Sequence, residues 1–110
     1  MPRKTRKKPK KTARPDEEKA WSDFVSWCTA RGLDAVPAHP WTLATYARWL
    51  EPRKTYPAIV KTLAAIAKVH TTKSRKRPER DPTVTRTLHM IEIRAQAKKQ
   101  AAKEKRIALF

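Results

Sequence analysis

The side chains to which covalent chemistry or metal binding would first fall are two tyrosines, three histidines and one cysteine, and they are scattered. His39, His70 and His89 are far apart in sequence, with neither a second cysteine nor an acidic cluster beside them, so the ligand spacing of a zinc site is missing. Asp16, Glu17 and Glu18 form the one dense acidic run. A helix turns about 100° per residue, so three consecutive carboxylates there point apart and cannot converge on a metal. Cys28, next to Trp27, reads as a small buried hydrophobe, and a single cysteine forms no internal disulfide, which fits a reducing compartment. Tyr46 and Tyr56 could attack a phosphate only among several converging cationic donors, and neither has such a setting. No metal, cofactor or small-molecule substrate is expected.

The chemistry that remains is electrostatic. Lysine and arginine number 27 against ten acids among 110 residues, a formal charge of +17. So large an excess repels itself in a small fold and suits a polyanionic partner. Nucleic acid leads; an anionic membrane would require an apolar anchor or a strongly amphipathic basic helix, and no run nears the ~18 apolar residues of a membrane span. The start Met1-Pro2-Arg3-Lys4, with no apolar stretch behind it, does not resemble a secretory signal, so a cytoplasmic, nucleoid or nuclear location is expected.

The elements that position these charges follow from the apolar spacing. Residues 1–14 carry eight cations and no acid, and they read as a disordered arm. Asp16-Glu17-Glu18 suit a helix N-terminus; Ala20, Trp21, Phe24, Trp27 and Cys28 then recur at helical spacing, and Gly32 stands where a C-terminal cap belongs, which predicts helix 1 over 16–31. Pro40 opens helix 2 behind a cap at His39 or Ala38; Leu43, Ala44, Tyr46, Ala47 and Leu50 form its buried stripe, and Pro52 closes it. Helix 3 is predicted over 57–71, with Ile59, Leu63, Ile66, Ala67 and His70 inward. Residues 72–82 read as an exposed basic loop. Pro82 begins helix 4, with Val84, Leu88, Ile91 and Ala95 inward, and residues 96–110 form a linker-like basic tail, partly helical at best, that ends in the apolar Ile107, Leu109 and Phe110. The tryptophans Trp21 and Trp27 belong to the core, Trp49 lies off the main stripe of helix 2, and Arg31, Arg48 and Arg86 are isolated solvated charges.

Taken in order, Trp21, Phe24, Trp27-Cys28, Gly32, Pro37, Tyr46, Leu50, Ile59, Leu63, Ile66 and His70 resemble the N-terminal core-binding domain of tyrosine recombinases and phage-type integrases. The resemblance covers residues 16–95. It implies an all-α fold, a four-helix SAM-like domain of two crossed hairpins over residues 15–95, and a function as a DNA-binding module of integration or recombination. It also implies double-stranded DNA and other recombinase subunits as partners. In that family helices 1 and 3 face the major groove. Carried over by position, the outward residues are Lys19, Ser22 and Ser26, then Ala58, Lys61, Thr62 and Ala65, with Lys54, Thr55, Tyr56 and Lys68 beside them and Lys73, Arg75, Lys76 and Arg77 reaching flanking phosphates. Two alanines on that face imply positioning on phosphates with little base reading.

Pro57, Ala58, Met90 and a loop without glycine depart from the family pattern. The family's cleaving tyrosine belongs to a catalytic domain that this sequence does not contain, so the chain is expected neither to nick nor to rejoin DNA. It reads as a truncated integrase or a free-standing binder; the alternative from another class is a small basic structural or RNA-binding protein.

Overall fold

The computed structural model describes residues 15–108, with side chains as far as Lys105. The arm expected to be disordered, residues 1–14, and the apolar side chains of Ile107, Leu109 and Phe110 lie outside that range. The described chain is all-α: α1 is Pro15–Ala30, α2 Pro40–Leu50, α3 Tyr56–Lys73 and α4 Pro82–Ala108, with a short 3-10 turn at Pro78–Arg80.

Each helix end has a local cause. Gly32 takes φ 69°, open to glycine without strain. Around it the Leu33 N–H donates to Cys28 O at 2.9 Å and the Gly32 N–H to Thr29 O at 3.2 Å, the paired bonds of a Schellman cap. His39 caps α2 by accepting the Trp41 N–H on Nδ1 at 3.0 Å. The Thr55 hydroxyl accepts the Ala58 N–H at α3, and the Asp81 carboxylate accepts the Thr83 N–H at 2.8 Å at α4. That bond from the Thr83 backbone is the first reason the Asp81 carboxyl is held below its ordinary range.

Packing pairs alternate helices. α1 packs chiefly against α3 and α2 against α4, with smaller contacts joining α3 to α2 and to α4. The predicted stripes meet in the middle: Phe24, Trp27, Cys28, Leu43, Tyr46, Ala47, Leu50, Ile59, Leu63, Ile66, Val84 and Ile91 form one buried cluster, with Trp21 and Leu88 partly buried against it. Aromatic rings dominate it. Tyr46 stands 5.0 Å from both Phe24 and Trp27 and stacks on Trp49 at 5.8 Å with 11° between the planes. In a domain this small, such rings supply much of the apolar burial available.

His70 is fully buried. Its Nε2 accepts the Ala38 N–H at 3.0 Å while Nδ1 lies 3.0 Å from Ile66 O. The two bonds together require a neutral ring with the proton on Nδ1, and they tie the 33–39 connector to α3. His70→Phe keeps the ring volume but leaves the buried Ala38 N–H without an acceptor. We expect it to lower unfolding stability by about 1–3 kcal/mol, read by urea denaturation. A variant as stable as the parent would show that the connector does not depend on this bond.

The C-terminal tail differs from the expectation. Residues 96–108 continue α4 as an unbroken helix. Ala, Lys, Gln and Glu are strong helix formers, and neither glycine nor proline follows Pro82 to stop the helix. The 72–82 segment is also more ordered than a loop. α3 runs to Lys73, Pro78 is buried, and the 3-10 turn is closed by the Asp81 N–H bonding to Pro78 O at 3.1 Å.

Candidate nucleic-acid interface

α1 and α3 pack against one another, and Lys68 Nζ donates across the pair to Glu17 Oε1 at 3.1 Å. Ala58, Thr62 and Ala65 are small side chains that share one side of α3. This corrects the outward reading of two residues: Thr62 is 8 % exposed and Ala65 5 %. The Thr62 hydroxyl donates to Ala58 O at 2.9 Å, so it is satisfied inside and unavailable to DNA. The physical reason is the breadth of the buried arc. With α1 on one flank of α3 and the core on the other, the positions next to Ile59, Leu63 and Ile66 are also covered. Between Ala58 and His70, what α3 leaves exposed is Val60, Lys61, Ala64 and Lys68.

α1 is a poor surface for a polyanion. Ser22 and Ser26 are exposed as expected, but Asp16, Glu17, Glu18 and Asp23 outnumber the single Lys19. Lys19 pairs with Asp23 at 3.0 Å and Lys68 with Glu17, so two cations expected at the interface are already engaged with carboxylates. Such exposed pairs add little to stability, and they still reduce the field offered to a phosphate.

Cations without a carboxylate partner among the described residues gather elsewhere. One cluster surrounds a cleft of about 840 Å³ between the α2–α3 turn and the middle of α4. Lys54, Thr55 and Tyr56 line one wall, Lys98 and Lys99 the other, over an apolar floor that includes Pro57, Ile91 and Ala95. Between them Arg94 donates to both Glu51 oxygens, at 2.8 and 2.9 Å, a bidentate bond that clips α4 to the end of α2. This bond, first among its causes, holds the Glu51 carboxyl below the ordinary range. The second cluster is Lys73, Arg75, Lys76 and Arg77, all exposed, with Arg77 also bonded to the Thr71 hydroxyl. The two clusters flank the 18 residues of α3, about 27 Å at a helical rise of 1.5 Å per residue.

Lys98 and Lys99 were missed because residues 96–110 carry no apolar stripe, and only the continuation of α4 brings them to the turn. Arg31 and Arg53, conversely, are not simply solvated. The Arg31 guanidinium lies 4.4 Å from the Trp27 ring centre, and that of Arg53 lies 4.1 Å from Trp49 while donating to Trp49 O at 2.6 Å. Cation–π interaction and hydrogen bonding hold both on the aromatic cluster. Basic residues four positions after a tryptophan were the available signal, since i and i+4 share a helix face.

The other reactive groups are set in structure. Burial raises the Cys28 thiol to about 11 and the Tyr46 hydroxyl to about 12, so neither is an activated nucleophile. Among the described residues no group of three or more His, Cys, Asp or Glu gathers as metal ligands, and no helix is long and apolar enough to cross a membrane. Comparison of the chain with protein-family models, curated proteins and solved structures returned no match.

Proposed function

We propose that the chain is a DNA-binding module of the kind found as the core-binding domain of tyrosine recombinases and phage integrases, holding duplex DNA by its phosphates and contributing no cleaving group of its own. The observation that supports this reading is the separation of charge. Cations without acid partners stand at both ends of α3, and α1 carries Asp16, Glu17, Glu18 and Asp23, four of the ten acids, against the single Lys19. Two positive clusters about 27 Å apart would meet phosphates roughly eight base pairs apart along a duplex axis, given about 1.7 Å of axis per charge over both strands. On this reading Lys54, Thr55, Tyr56 and Lys61 serve one end and Lys73, Arg75, Lys76 and Arg77 the other, with α1 turned away.

The test is fluorescence anisotropy with a 30-base-pair duplex and an RNA hairpin of equal charge. We expect the duplex to bind more tightly. Arg75→Ala/Lys76→Ala/Arg77→Ala should weaken binding and flatten the salt slope by about 0.9 for each phosphate no longer neutralised. Lys19→Ala should change affinity less than about twofold, as expected for an exposed, paired lysine. Equal affinity for RNA would favour the small RNA-binding or structural protein. An undiminished affinity in the triple variant would remove the 73–77 cluster from the interface.

A further inference from the structure

Among the described side chains of α4 the last buried one is Ile91, and residues 96–105 are all exposed. Gln96, Lys98, Lys99 and Ala102 border the open cleft beside the α2–α3 turn, and the rest of this stretch has no partner in the fold. Its chemistry narrows the partner. Residues 96–105 hold Lys98, Lys99, Lys103 and Lys105 against the single acid Glu104, and the only apolar side chains among them are alanines. That composition offers no apolar stripe to a protein groove or a bilayer, so the partner must be hydrophilic and anionic. The three alanines, Ala97, Ala101 and Ala102, also keep the helix slender. A helix about 10–12 Å across fits the major groove of B-DNA, about 12 Å wide.

The spacing orients it. At 100° per residue, Gln96, Lys99, Gln100 and Lys103 fall within one arc of about 100°, while Lys98 and Lys105 lie on the opposite side. Gln matches the N6 and N7 edge of adenine and Lys the O6 and N7 edge of guanine. In the free chain Gln100 Nε2 donates to Glu104 Oε2 at 3.3 Å, an exposed bond that a base edge can replace.

We propose that the distal half of α4 enters the major groove of duplex DNA, with Gln96, Lys99, Gln100 and Lys103 toward the base edges and Lys98 and Lys105 toward phosphates. This rests on the DNA-binding reading above and moves sequence recognition to α4, away from the α1 and α3 faces.

The experiment is selection from a pool of duplexes with a randomised centre, using the full chain and its Gln96→Ala/Gln100→Ala variant. Alanine has the higher helix propensity, so the variant keeps its helix, which circular dichroism verifies. The parent should enrich a short motif containing adenine and the variant should lose it. Discrimination should fall by about fivefold to 100-fold for each base no longer read, with affinity for unselected duplex within about threefold. A parent that enriches no motif, or a variant that enriches the same one, overturns the proposal while leaving DNA binding intact. Polyglutamate that competes as well as unselected duplex would give the helix an acidic protein partner instead and also overturn it. A parent that binds no duplex removes the DNA-binding reading itself.

Discussion

Affinity for duplex DNA should fall by about a thousandfold or more between 50 and 200 mM salt. Neutralising about six to eight phosphates gives a slope of log K against log salt near −5 to −7, because each cation released from the duplex contributes about −0.9. The exposed cations of the two clusters and of α4 are numerous enough to supply such a count without α1. Residues 1–14 add eight more cations. Deleting them should therefore flatten the slope by several units and leave the thermal midpoint unchanged, since the buried cluster lies wholly within residues 24–91. Anisotropy titrations at four salt concentrations read the slope, and a thermal melt of the shortened chain reads the midpoint. A salt-independent affinity, or a slope untouched by the deletion, would show that phosphate neutralisation is not the source of binding.

Trp27→Ala should remove a large share of the domain's unfolding stability, read as a fall in the urea midpoint. Trp27 is 6 % exposed and packs against Tyr46 at 5.0 Å and Trp49 at 6.3 Å, with Arg31 across its face at 4.4 Å. Truncating a buried tryptophan to alanine costs about 3–5 kcal/mol, from the forfeited transfer free energy and the cavity left behind. A domain of this size has roughly 5–10 kcal/mol of stability in all. Ile66→Ala should cost about 2–5 kcal/mol for the same reason, with no aromatic pairs involved. Trp41→Ala is the control: that ring is 56 % exposed, and its removal should move the urea midpoint little. A Trp27→Ala protein as stable as Trp41→Ala would mean that the ring cluster does not organise the fold.

The sequence by itself determined the helices, their starts and most of the core. Pro40 and Pro82 stand at the first positions of α2 and α4, and Gly32 lies just beyond α1. These signals are local: a fixed proline φ, a glycine free to take positive φ, and apolar residues recurring every three or four positions each act within one or two turns of chain. The stripes Phe24–Trp27–Cys28, Leu43–Tyr46–Leu50 and Ile59–Leu63–Ile66–His70 are accordingly buried where their spacing places them.

The surface was not legible in that way, because whether a polar or small residue faces water depends on which helix lies beside it. Thr62 and Ala65 have the spacing of an outer face, and the approach of α1 buries them. Lys19 and Lys68 have the type expected to meet phosphates, and Asp23 and Glu17, one from a neighbouring turn and one from 51 residues away, engage them first. Lys98 and Lys99 reach the cleft beside Lys54 only because α4 packs along α2 and the Arg94–Glu51 bond fixes it there. Local sequence could mark how much positive charge the chain carries. Which charges stand together, and which are already paired, was decided by helix packing, through distances between residues that the order of the chain does not encode.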